Sequence, residues 1–171
     1  MKKSELKPIE YKEFYATYLN AIGDVNLFTE LVDGKNWMIQ FINSLDESKL
    51  GYSYGEGKWT IAEVIMHIID TERVFQYRAF SFSKNDKSAL PGFDQDEYMA
   101  NTDVSNRTKE SILEEYLSVR EASISLYKNL QNTQLNYTGT ASGIRWSVAG
   151  IGFVISGHQK HHCTILQERY S

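Results

Sequence analysis

Lys58-Trp59-Thr60-Ile61-Ala62-Glu63, followed by Val64-Ile65-Met66-His67-Ile68-Ile69-Asp70-Thr71-Glu72-Arg73-Val74-Phe75, is the stretch whose reading decides the fold. Thr60 and Glu63 have the spacing of a capping box, hydroxyl to one free amide and carboxylate back to the other. Behind them Ile61, Val64, Ile65, Ile68, Ile69, Val74 and Phe75 recur at three- and four-residue intervals. That is one apolar stripe on a long helix, expected to run to about Ser83. Lys84-Asn85-Asp86-Lys87-Ser88 and Leu90-Pro91-Gly92 close it.

Working outward, a second long stripe runs through Ile112, Leu113, Tyr116, Leu117, Val119, Arg120, Ser123, Ile124, Tyr127 and Leu130, with Ser105, Asn106 and Thr108 as candidate caps. Trp146-Ser147-Val148-Ala149 opens a last helix, capped by Ser147 and expected to reach about Arg169. Leu27, Leu31, Trp37, Phe41, Ile42 and Leu45 suggest a first helix ending near Asp46, although Gly34 sits inside it and lowers its helix propensity. No alternating strand pattern appears. Four helices read as an all-α fold, a four-helix bundle with a long connection between helices 2 and 3, from about Lys84 to Asn106. Connections of that length tend to be functional. Trp59-Thr60-Ile61-Ala62 and Trp146-Ser147-Val148-Ala149 form a faint internal echo that helix-start chemistry explains as well as duplication does.

The 171 residues fit one domain, residues 1–171, large enough to bury a core without staples. Lys plus Arg number 18 against 22 Asp plus Glu, a net charge of −4, which gives no support to a nucleic-acid partner. The single cysteine, Cys163, excludes an internal disulfide and a multi-cysteine zinc cluster. Basic residues at the start are not followed by an apolar run, since Glu10, Lys12 and Glu13 interrupt it. The apolar stretches around Val64–Ile69 and Val148–Ile155 are far shorter than the ~20 residues a bilayer requires, so a cytoplasmic protein without a membrane partner is expected.

The chemistry concentrates in the histidines. His158 and His162 are i and i+4, so on a helix both rings leave one face about a turn apart, the spacing two imidazoles need to reach one metal ion. His67 lies inside another helix's apolar stripe and completes a three-nitrogen set if the two helices pack side by side. Three nitrogens with an open position make a catalytic site for zinc or a neighbouring transition metal. On spacing alone, a surface pair and a hydrogen-bonded core histidine explain the pattern equally well. His161 points about 100° away from His162 and is a candidate for the outer layer or the rim. Asp70, one turn after His67, either orients that imidazole or pairs with Arg73 or Arg78. Glu72, Arg78 and Arg120 suggest a structural charge network. Phe93 and Tyr98, with Asp94 between them, are pocket-wall candidates in the long connection, and the Leu90–Tyr98 segment is expected to border the open end of the site. Cys163 reads as a buried small hydrophobe. The five glycines Gly139, Gly143, Gly150, Gly152 and Gly157 read as turns and close helix contacts.

Three of these segments together, Lys58-Trp59-Thr60 through Arg73, Leu90-Pro91-Gly92-Phe93-Asp94, and Gly157-His158-Gln159-Lys160-His161-His162, resemble the DinB-like superfamily. The similarity extends from about Tyr18 to Tyr170. The resemblance implies a four-helix bundle with a divalent metal, nickel or zinc first and manganese or iron after them, on three histidines that match His67, His158 and His162. It further implies a homodimer. Members of that family include transferases that conjugate small thiols, thiol-dependent isomerases and metal-dependent hydrolases. The expected activity is therefore small-thiol S-transfer, in which the metal activates a low-molecular-weight thiol toward a small-molecule electrophile. Water activation by a hydrolase is the alternative, and a non-enzymatic stress-response or ligand-binding protein is a third reading.

Overall fold

The structure is a computed structural model describing residues 1–7 and 13–170, without the side chains of Glu13 and Phe14. Glu10 and Lys12, which interrupt any leader-like run, lie outside the described residues. Seven helices and one hairpin follow in order: α1 (Glu13–Ala21), α2 (Leu27–Ser44), α3 (Ile61–Ser83), α4 (Gln95–Ala100), α5 (Lys109–Lys128), α6 (Asn132–Leu135), β1 (Thr138–Ala141), β2 (Ile144–Ser147) and α7 (Val148–Arg169). The long helices α2, α3, α5 and α7 form the four-helix bundle, with α3 and α2 on opposite corners, each packed on both α5 and α7. Among the described residues, no helix is long and apolar enough to cross a membrane.

The helix starts follow local chemistry. Thr60 Oγ1 accepts from the Glu63 amide at 3.2 Å, and Glu63 Oε2 accepts from the Thr60 amide at 2.7 Å. Ser147 Oγ accepts from the Gly150 amide at 3.0 Å and starts α7, while Thr108, not Ser105 or Asn106, caps α5. Gly34 stays helical because the space beside it is taken. A Cβ there would lie 3.1 Å from Arg120 Nη1, and the Gly34 carbonyl accepts from Gln159 Nε2 at 2.9 Å.

Beyond the expected four helices stand α1, the short α4 and α6, and a hairpin where no strands were expected; two of these additions shape the core. The first is α1, which lays Tyr18 and Leu19, with Ile22 just beyond its end, against α7. The second is the β1–β2 hairpin, in register Thr138↔Ser147 to Ala141↔Ile144. Its two-residue turn, Ser142-Gly143, has φ of 54° and 71°, the left-handed geometry that matches strand twist. Strands of four residues are too short to show an alternating pattern, yet the hairpin buries Trp146 completely. Leu90 joins its edge, donating to the Thr140 carbonyl at 2.9 Å and accepting from the Ser142 amide at 3.1 Å.

Between the bundle helices lies a buried polar network. Arg120 of α5, 0% exposed, donates from Nε and Nη2 to the two carboxylate oxygens of Glu72 on α3, both at 2.8 Å. Its Nη2 also reaches Gln159 Oε1 on α7 at 2.7 Å, and Nη1 reaches the Leu31 carbonyl on α2 at 3.3 Å. Tyr116 adds its hydroxyl to Gln159 Oε1 at 2.8 Å. The expected Glu72–Arg120 pair is therefore present, and Arg78 takes no part in it.

Two substitutions test this packing. Glu72→Ala strands a buried guanidinium and is expected to lower unfolding free energy by about 3–5 kcal/mol in a denaturant titration. At Gly157 an added Cβ would overlap the Tyr18 carbonyl oxygen, which is backbone and cannot rotate away. Gly157→Ala is expected to cost about 1–3 kcal/mol by the same measurement.

Candidate metal centre

Packing of α3 on α7 turns His67 toward the face from which His158 and His162 project. His67 Nε2 lies 3.0 Å from His158 Nε2 and 3.2 Å from His162 Nε2, and the three candidate ligand atoms all fall within 4.8 Å of one another. Two nitrogens bound at about 2.1 Å to one tetrahedral ion stand about 3.4 Å apart, so the observed spacing fits a shared cation. His67 and His158 are each 3% exposed, and His162 is half-buried.

Electrostatics points the same way. Burial holds the His67 pKa down at about 4. Burial, with the neighbouring His67 and His161, holds His162 down at about 3. His158 is pushed well below the usual imidazole range, first by burial and then by the other three histidines. The trio is neutral at pH 7, the form in which imidazole offers a lone pair. Three such lone pairs aimed at one point repel each other unless a cation or protons stand between them.

The surroundings fix the rings. Thr71 Oγ1, one turn along α3, is 3.4 Å from His67 Nδ1. Asp70 does not hold that position. It pairs with Arg73 at 2.9 Å, and Arg73 in turn reaches Glu115 of α5 at 2.7 Å, so the carboxylate is drawn to the outer face of α3. Trp59 packs on His67 with ring centroids 4.9 Å apart. Because Gly157 has no side chain, α1 lies against α7 at that point, and Tyr18 sets its ring edge-on to His158 and His161 at 5.1 and 5.4 Å. His161 is half-buried beside His162, with ring centroids 5.1 Å apart, and lies outside the converging trio.

His162 opens onto a cleft of about 250 Å³ walled by Tyr54, Trp59, Val64, Ile165 and Tyr170, with Asp96 of α4 at its rim. The Tyr170 hydroxyl ties this wall together by donating to the Trp59 carbonyl at 2.7 Å. Of the Leu90–Tyr98 segment, Asp96 borders this cleft. Phe93 and Tyr98 face a different one, lined with Arg78 and Arg73. Sequence reasoning missed Trp59, Asp96 and Tyr170 as walls; the Trp immediately before the Thr60 cap was the usable signal, since helix starts hold their preceding residue in a fixed direction.

The model of the DinB superfamily matches residues 31–166 of this chain. A protein of Oceanobacillus iheyensis, named as a putative metal-dependent hydrolase, is 28% identical over 130 residues, covering 74% of this chain and 73% of that one. Among solved structures, YfiT of Bacillus subtilis, described as a probable metal-dependent hydrolase with an unusual four-helix bundle topology, aligns with a TM-score of 0.67 at 19% identity over 97% of this chain and 94% of its own. A mycothiol-dependent maleylpyruvate isomerase aligns with a TM-score of 0.66 at 14% identity over 82% of this chain, which spans 60% of that protein. These likenesses carry the fold, and the family match spans both histidine-bearing helices: the chain belongs to the DinB superfamily.

Proposed function

We propose that His67, His158 and His162 hold one divalent cation, nickel or zinc as the family resemblance implies, and that the chain is an enzyme delivering an external small thiol to an electrophile seated in the Trp59–Tyr170 cleft. The observation that carries this reading is the convergence of three neutral imidazole nitrogens at the head of a cleft whose described lining holds no cysteine thiol. A cation held there lowers the pKa of a thiol or water brought against it, giving a nucleophile near neutral pH.

The chain's residues supply the rest. Thr71 and the packed rings of Trp59 and Tyr18 keep the imidazoles from turning. The aromatic and aliphatic walls of the cleft exclude water from an apolar electrophile and favour its burial. Asp96 at the rim is a carboxylate placed to accept a proton released from the nucleophile. Cys163 takes no part. It is buried against Met38, its Sγ 3.7 Å from that residue's Sδ, and burial pushes its thiol up to about 12. The thiol dependence of the maleylpyruvate isomerase supports an external thiol. Water as the nucleophile is the second reading, favoured by a carboxylate, Asp96, in the cleft that His162 lines and by the hydrolase names of the Oceanobacillus and Bacillus proteins.

Elemental analysis of untagged protein is expected to find about one equivalent of divalent metal. Replacing His67, His158 or His162 with Ala is expected to weaken metal retention by far more than tenfold, while His161→Ala retains it, because only the trio converges. Turnover of an aryl chloride that requires an added small thiol supports the first reading, and hydrolysis of a nitrophenyl ester without thiol supports the second. Bound metal with no turnover in either screen overturns the enzymatic reading.

Cys163 provides a separate check. A chromogenic disulfide reagent at pH 8 is expected to leave the native protein unmodified and to release one thiol only on unfolding. Fast labelling of the native protein would restore Cys163 as a candidate nucleophile.

A further inference from the structure

Arg78 is the second guanidinium that the fold buries, and it is held very differently from Arg120. It is 1% exposed and stands eleven residues after His67 on α3, about 16 Å away along the helix axis. Its Nη2 donates to the Pro91 carbonyl at 3.0 Å and to Ser142 Oγ at 2.9 Å. The rings of Phe75 and Phe93 lie 5.2 and 5.8 Å from its Cζ, and the Tyr15 phenol is a further neutral partner. Nη1 has no hydrogen-bond partner, and among the described residues no carboxylate pairs with this side chain. A buried full charge surrounded only by neutral groups is costly, and an orphaned donor adds to that cost. Arg120 meets the same problem with a bidentate carboxylate. Arg78 is left one anion short.

The space beside it suits that anion. Arg78 lines a cleft of about 310 Å³ between α3 and the Leu90–Tyr98 segment, a size within the range of small-molecule sites. Tyr77 and Tyr98 stand at its rim, 59% and 48% exposed, large aromatic side chains with no core to fill. Phe93 and Tyr98 pack on each other at 5.4 Å, so Tyr98 is a wall of this cleft and not a plug in the bundle. Arg73, the other cation there, is already paired with Asp70 and Glu115, which leaves Arg78 as the unbalanced charge. The Phe93 ring, on an irregular segment, lies 5.8 Å from the Arg78 Cζ and stands between the guanidinium and the other aromatic walls of the cleft.

We propose that this cleft binds a small aromatic acid, its carboxylate on the Arg78 guanidinium and its ring among Tyr77, Phe93 and Tyr98. The charge calls for an anion, the unpartnered Nη1 supplies donors for a carboxylate oxygen, and the three aromatic walls favour a ring. The site is separate from the histidine centre and does not depend on what that centre holds.

The test is an ¹⁵N NMR titration of the protein as purified, using benzoate, its neutral isostere benzamide, and inorganic phosphate. Benzoate is expected to shift the amides of Arg78, Gly92, Phe93 and Tyr98 with a Kd below about 1 mM. Benzamide is expected to bind at least about tenfold more weakly for want of the charge, and phosphate likewise for want of a ring. Arg78→Met is expected to abolish the benzoate response. Tyr98→Ala, at an exposed position, is expected to keep the melting temperature and weaken benzoate about three- to tenfold. Equal binding of benzamide, or of phosphate, overturns the proposal, the latter by showing a bare anion site. So do benzoate binding retained in Arg78→Met, shifts centred on His158 and His162, or no saturable shift up to about 10 mM benzoate. Should Arg78→Met fail to fold, the comparison of benzoate with benzamide on the unmodified chain decides.

Discussion

All four bundle helices are tied to one buried guanidinium. Arg120 of α5 holds Glu72 of α3 through two bonds, Gln159 of α7 through a third and the Leu31 carbonyl of α2 through a fourth. Burial alone would push the Arg120 pKa down, but the Glu72 carboxylate overrides it and holds the group firmly charged. Because each partner is polar and enclosed, any rotation of a helix that breaks one bond leaves an unsatisfied group in the core. The network therefore fixes how each helix is turned about its axis. Gln159 adjoins His158, and Glu72 follows His67 by five residues, about 140° round the helix. Fixing Glu72 and Gln159 toward α5 and α2 leaves His67 and His158 facing each other across the α3–α7 contact. The geometry of the histidine trio is thus set by residues that never touch it.

Helix starts and the histidine spacing were legible because they are local. A capping box lies within four residues and an i, i+4 pair within five, so Thr60, Glu63, Ser147, His158 and His162 can be read without knowing what packs against them. The role of Asp70 was not legible in the same way. Asp70 and Thr71 both lie about a turn beyond His67, and the choice between them is made by Glu115 on a different helix, which draws Arg73 and with it Asp70 to the outer face. The hairpin was missed for a related reason. Its two strands hold four residues each, and what fixes them is the burial of Trp146 and the bond from Leu90, both tertiary. α1 has a readable stripe in Tyr15, Tyr18 and Leu19, continued by Ile22, but only the missing side chain of Gly157 reveals where that stripe docks.

The bundle treats its buried ionisable groups in three ways, and the differences do not follow depth. The Arg120–Glu72 pair is matched within the protein and contributes a fixed architecture. The histidines are buried without any carboxylate among the described residues within hydrogen-bonding reach, so they are kept neutral and present lone pairs where a cation fits. Arg78 is buried charged with neutral partners. A chain selected for stability alone would replace a group of the second or third kind with an apolar one, since neither recovers its desolvation cost internally.

Whether the histidine centre and the Arg78 cleft can influence each other is a question of what connects them. They share α3, but that helix runs unbroken for 23 residues and is packed on α5 and α7, so it offers no second arrangement for either end to select. A ring acid held at Arg78 is also far too short to span the roughly 16 Å to His67. The remaining connection is α4. This six-residue helix, anchored in the core by Met99, presents Tyr98 to the Arg78 cleft and Asp96 to the rim beside His162. A short helix joined to irregular segments on both sides is the part of this molecule able to shift as a unit at low cost. Among the described residues α3 and α4 each place side chains in both clefts, and since α3 is held along its length, any coupling between the clefts runs through a shift of α4.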